Sequence, residues 1–178
     1  MAYNQPQELT FLQSITASSS ATISFTSKID SDFDTFVVKF RNIFPATNAA
    51  LFRMLFSTNN GSSYLASTGY RWAMINSTST GLTQDGATAT SSFQVANGLS
   101  TTSGRVMNGT MILYGLNSAA NTKSFYSSVE KIGSSGDLEE QRVGGVHTGT
   151  TAVNAIRFQM SSGNIASGTF ILYGVKEP

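Results

Sequence analysis

The 178-residue chain has no cysteine, three prolines, and few charges, with Asp, Glu, Lys and Arg making up 12% of it. Without cysteine there is no thiol nucleophile, no iron–sulfur cluster and no cysteine-ligated zinc. A chain of this length buries roughly 70% of its unfolded surface on folding, so it needs no disulfide to be stable. Ordinary soluble domains carry about twice this share of charge, roughly 25%. The net charge is +1. No basic field is therefore available to draw in nucleic acid or anionic lipid, and neither is expected as a partner. No apolar run approaches the roughly 20 residues of a membrane helix, so membrane insertion is not expected. The start, Met1 to Glu8, lacks the basic and apolar regions of a secretory signal, so synthesis in the cytoplasm without a signal peptide is expected.

Hydroxyls take the place of charge. The chain holds 26 serines and 21 threonines. Such a surface forms hydrogen bonds but repels neighbours weakly, which suits dense assembly or a sugar ligand. The same composition also follows from a β-rich fold alone, because Thr favours strands and Ser favours turns.

Strand signals dominate. Phe36, Val38 and Phe40 alternate with Lys39 and Arg41, the period-two pattern of a half-buried strand, and Pro45 ends it. Further strands are expected over 21–25, 51–56, 64–73, 92–95, 105–114, 124–132, 155–160 and 169–175. Asn60-Gly61 predicts a hairpin turn joining the second and third of these runs. Residues 76–89 and 133–151 read as loops, rich in Ser, Thr and Gly. No amphipathic helix longer than a turn or two is visible. Many short strands at regular spacing predict an all-β fold, a sandwich, jelly roll or barrel that periodicity does not separate; an antiparallel β-sandwich of jelly-roll type is the leading expectation. Residues 1–20 are expected to form an N-terminal arm for attachment or exchange, and 21–178 the sandwich domain. One internal echo stands out: residues 103–115 and 162–174 agree at eight of thirteen positions and share Gly-Thr-x-Ile-Leu-Tyr-Gly. Two copies are too few for a solenoid and predict two equivalent strands.

Catalytic chemistry finds little support, and the chain is not expected to be an enzyme. The one histidine, His147, sits in a Gly-rich stretch and reads as a surface residue. No Gly-x-Ser-x-Gly elbow surrounds any serine. Asp30, Asp32, Asp34, Asp85, Asp137, Glu139 and Glu140 could supply the paired carboxylates of a glycosidase only if the fold brought two into one cleft. Asp30, Asp32 and Asp34 begin like a calcium loop but lack its Gly and distal Glu, so they read first as a turn leading into the Phe36 strand. No phosphate loop fits, and no metal or other cofactor is expected. The best ligand signal is Tyr70-Arg71-Trp72, which joins the only Trp to a Tyr and an Arg. Aromatic faces stack on the C–H faces of sugars while Arg binds hydroxyls. In a strand Tyr70 and Trp72 share one face, which is either a binding platform or part of the core.

Three strings carry a family resemblance: Phe40-Arg41-Asn42-Ile43-Phe44-Pro45-Ala46-Thr47-Asn48, the run from Phe56 to Tyr64, and the run from Ile156 to Val175. They resemble a recurrent family of small tailed-bacteriophage virion structural proteins, of tail-fibre, receptor-binding or head-decoration type. The resemblance extends from about Ala21 to Lys176, but residues 75–149 match nothing in it. It implies a place in the virion, with other virion proteins and further copies of the chain, as a homotrimer, for partners. A tail-fibre or spike module contacting a host-surface polysaccharide is the leading expectation. Capsid decoration or cement is the alternative, and a small polysaccharide-degrading enzyme the third.

Overall fold

A computed structural model describes residues 8–176. The described residues contain no helix. Twelve strands follow one another: β1 (Thr10–Ser20), β2 (Thr22–Phe25), β3 (Thr35–Pro45), β4 (Ala50–Ser57), β5 (Tyr70–Thr78), β6 (Gly81–Thr90), β7 (Phe93–Leu99), β8 (Met107–Tyr114), β9 (Lys123–Ile132), β10 (Leu138–His147), β11 (Ala155–Met160) and β12 (Ile165–Val175). Eight form one sheet in the order β1-β12-β3-β8-β9-β10-β5-β6, and four form a second in the order β2-β11-β4-β7. Every pairing is antiparallel, and the two sheets pack face to face as a sandwich.

Alternation puts the core between the sheets. Phe36, Val38 and Phe40 of β3 point inward while Lys39 and Arg41 point out. Phe40 and Phe170 from the large sheet meet Phe52 and Phe158 from the small one, with ring centroids 5.3 to 6.0 Å apart. Such offset and edge-on pairs add about 0.5–1.5 kcal/mol each beyond burial. A second aromatic group, formed by Phe56, Tyr70, Phe93, Phe125 and His147, closes the other half of the core.

The two echo strands lie on either side of β3. Phe40 faces Phe170 on β12 and Gly109 on β8. Asn42 takes a left-handed φ of 54°, and the register of β3 shifts against both neighbours beside it. Gly109 (φ 158°) and Gly168 (φ 133°) absorb that bend from opposite sides. A Cβ on Gly109 would collide with the Ser128 carbonyl, and one on Gly168 would lie 2.8 Å from the Ile43 Cα. The shared Gly-Thr of the echo thus answers one bulge in the strand between its copies.

Four expectations need correction. Residues 76–89 are not a loop: they finish β5 and form most of β6. Residues 133–151 are likewise mostly the β10 strand. The Asn60-Gly61 turn is present, with φ of 56° and 81°, but it joins no hairpin. The chain leaves it for the other sheet, and β5 starts only at Tyr70. Half of the expected arm is built into the fold, because residues 10–20 are β1, paired along its length with β12. The start of that arm, Met1 to Gln7, lies outside the described residues.

Candidate functional site

Of the three residues singled out as ligand-binding, the structure seals Tyr70 in the core and leaves Arg71 and Trp72 beside a shared hollow. On β5 the side chains alternate, so Tyr70 enters the core, Arg71 faces solvent, and Trp72 returns inward at the margin of the sandwich. Tyr70 is fully buried. Its hydroxyl donates to the Leu65 carbonyl at 2.9 Å and accepts the Phe56 N–H at 2.9 Å. Burial pushes its pKa up to about 12. Tyr70 is therefore a core residue and touches no accessible surface, which corrects its expected role in binding. Arg71 and Trp72 both border an open hollow of about 520 Å³, which Gly144 and Gly145 also line. Trp72 is half-buried and packs against the core.

Trp72 also lines a cleft of about 400 Å³ together with Arg53, Thr68, Thr90, Ser91, Ser92 and Gln94. The cleft has a structural cause. The β5–β6 hairpin overhangs the shorter small sheet, whose edge is β7. Arg53 and Gln94 are register partners on β4 and β7, so both line the cleft from the small sheet. Gln94 reaches across to Asp85 on β6 at 3.4 Å, joining the two edges. Thr90 donates to the Ser92 carbonyl at 2.9 Å, which orders the short β6–β7 connection. One indole, one guanidinium, one amide and several hydroxyls thus converge on one opening. That set offers an apolar face and donors and acceptors around it, the pairing a saccharide needs. Only Trp72 of this cleft was singled out from sequence. Arg53 and Gln94 carry no local signal, because the fold alone brings β4 and β7 beside β5.

A second hollow, of about 450 Å³, lies on the outer face of the large sheet and is lined by Lys39, Arg41, Asn108, Thr110, Ser128, Glu130 and Ile171. Next to it the sheet exposes Tyr126 and Tyr114, which leave 44% and 43% of their surface to solvent.

His147 is not on the surface. It is 5% exposed and lies against Tyr70 and Phe56. The Gly149 N–H donates to its Nδ1 at 3.1 Å, which leaves the proton of the neutral ring on Nε2. That Nε2 is buried with no partner. Burial, and then the Lys123 ammonium, hold its pKa below the usual imidazole value. Lys123 is itself fully buried, and its ammonium donates to the carbonyls of Ser118, Asn121 and Thr150 at 2.5, 2.6 and 2.8 Å. No serine is among the hydrogen-bond partners of His147, so the structure builds no nucleophile–base pair on it.

The carboxylates are spoken for or dispersed. Glu139 forms a buried ion pair with Lys131 and accepts from Gln141 Nε2 at 2.9 Å. Gln141 continues this network to Asn97 on β7, tying the two sheets together. Glu140 pairs with Arg142 at 2.7 Å. Glu130 and Glu140 stand opposite one another across β9 and β10, but each borders a different hollow. Asp30 accepts the Asp32 N–H at 3.2 Å, and Asn117 ties down the carbonyls of Asp30 and Phe33, so this segment is a turn. No group of three or more His, Asp or Glu suited to a metal occurs among the described residues.

No protein-family model matches the chain, and neither does any curated protein or any solved structure.

Proposed function

We propose that this chain is a virion module of a tailed bacteriophage that holds a host-surface glycan in the Trp72 cleft. The observation that carries the reading is the cleft itself. Trp72 stands half-buried at its margin with Arg53, Gln94 and four hydroxyl residues around it. An indole fixed by packing presents a flat apolar face at low conformational cost, and the surrounding polar groups supply direction. The Ser- and Thr-rich surface and the sequence resemblance to phage virion proteins point the same way.

The strand order supports a jelly-roll reading of the sandwich. With the β5–β6 and β9–β10 hairpins set aside, the large sheet runs β1-β12-β3-β8 and the small one β2-β11-β4-β7. Each sheet then takes alternate strands from the two ends of the chain, the pattern of two nested Greek keys. Jelly rolls of this kind serve in viral capsids and in lectins. In this reading the two extra hairpins widen one sheet and build the cleft, so specificity sits in the additions.

The module works as a homotrimer attached to other virion proteins through its N-terminal residues. One shallow site binds a sugar weakly, and three in one particle gain strength by avidity. The experiment is adsorption of the purified protein to host cells. Trp72→Ala and Arg53→Ala should each abolish adsorption, with unchanged thermal unfolding for Arg53→Ala. If Arg53→Ala and a Trp72→Phe variant both adsorb normally, the cleft is not the receptor site. Capsid decoration is the second reading, favoured by the breadth of the large sheet and by Ile75, Leu82, Tyr114 and Tyr126 exposed on it. A copy number matching the capsid lattice, with the protein on the head, would establish that reading instead.

A further inference from the structure

We infer that the hollow between Lys39 and Glu130 on the outer face of the large sheet is a second saccharide site, selective for an acidic sugar unit. The inference rests on the reading of the chain as a glycan-binding module but uses none of the residues of the Trp72 cleft.

Register assembles the site. Lys39 pairs with Thr110 and Thr110 with Ser128, which sets one row across β3, β8 and β9. Asn108 pairs with Glu130 in the next row, and Arg41 lies two residues beyond Lys39 on the same face. Residues two apart on a strand are about 7 Å apart, close to the span of a sugar ring. The hollow among them measures about 450 Å³.

The charges are uncommitted. The two ion pairs among the described residues are Lys131–Glu139 and Arg142–Glu140, so Lys39, Arg41 and Glu130 enter none. Lys39 is nevertheless positioned, with its ammonium 5.3 Å from the centre of the Tyr173 ring. Two neighbouring cations on one side suit a carboxylate, which they hold through charge-assisted hydrogen bonds. Glu130 on the other side accepts from hydroxyls, and Thr110 and Ser128 between them donate or accept. A ligand with one carboxylate and several hydroxyls per ring satisfies all of these groups.

The net charge of +1 supplies no field to gather a nucleic-acid backbone. Beyond the polar row the face turns aromatic. Tyr126 follows Ser128 two residues back along β9, and Ile112 follows Thr110 along β8. A saccharide chain leaving the cationic end therefore runs onto an apolar platform, so the site takes an oligosaccharide.

The test uses the full chain and two probes, tri-galacturonate and its fully methyl-esterified form, followed by backbone amide shifts and calorimetry. The acid should shift residues 39, 41, 110, 128 and 130, and the ester should bind at least about tenfold more weakly, the cost of a lost charge-assisted pair. The double variant Lys39→Gln, Arg41→Gln should lose binding by a similar factor with its unfolding temperature unchanged. Trp72→Ala should leave binding intact. Equal binding of acid and ester overturns the inference, as do shifts that map elsewhere or no binding at millimolar concentration. If the outer face stays silent while Arg53→Ala still abolishes cell adsorption, this site fails and the Trp72 reading stands. If neither responds, both fail.

Discussion

His147 and Tyr70 face each other across the β10–β5 pair, ring edge to ring face, with centroids 4.6 Å apart. The contact makes the only histidine of the chain a core residue. Its neutral form is held by burial and by the nearby Lys123 ammonium, so its folded pKa lies below the ordinary value of about 6.5. The unfolded chain therefore takes up this proton first on acidification. Stability should be complete above about pH 6.5 and should fall as the pH drops from there through the folded pKa. Chemical denaturation at a series of pH values checks this. A His147→Leu variant should lose the slope between pH 6.5 and the carboxylate range.

Tyr70→Phe keeps the ring packing and removes the hydroxyl. The Leu65 carbonyl and the Phe56 N–H then lose their shared partner inside the protein. A loss of about 1–3 kcal/mol is expected, read as a lower denaturation midpoint at unchanged slope. The wild type should also destabilise above pH 10 as the unfolded tyrosine ionises ahead of the folded one, whose pKa is about 12. The variant should lose the part of that decline due to Tyr70.

Gly109→Ala places a methyl group against the Ser128 carbonyl in a backbone conformation that L residues rarely adopt. A cost of about 1–3 kcal/mol is expected. Asn42→Gly, at the centre of the same bulge, should change stability by only a few tenths of a kcal/mol, because Gly takes a positive φ without strain. Equal effects of the two substitutions would show that the bulge does not constrain its neighbours.

Glu139→Gln leaves the Lys131 ammonium buried without a countercharge. The expected loss is about 3–5 kcal/mol, whereas replacing both residues by apolar ones of similar size should cost far less. Thermal unfolding of the single and double variants separates the two outcomes.

How far the sequence could be read depended on burial. β3, β8 and β12 alternate strongly because one face is core and the other solvent, so Phe36, Val38, Phe40 and the echo strings marked them. β6 gave no such signal. Almost every residue of Gly81–Thr90 is exposed, so nothing forces alternation and its Thr and Gly read as a loop. β10 misled for the opposite reason: its inward positions include Glu139 and Gln141, polar residues satisfied by Lys131 and Asn97 on other strands. The trio at 70–72 was legible as a strand, with Tyr70 and Trp72 on one face. Which of the two would be sealed in depended on the sheet edge. Arg53, Gln94, Arg41, Asn108 and Glu130 were invisible as sites, since sheet register alone makes them neighbours.

Lys123, held by three carbonyls, has a consequence for chemical labelling. Of the five lysines, Lys28, Lys39 and Lys176 are exposed, while Lys123 and Lys131 are buried. An amine-reactive ester should modify the first three in the native protein and spare the other two. Acylation of Lys123 would then mark molecules whose 115–122 and 148–153 segments have come apart, and mass spectrometry could count them in a mixture that is otherwise folded.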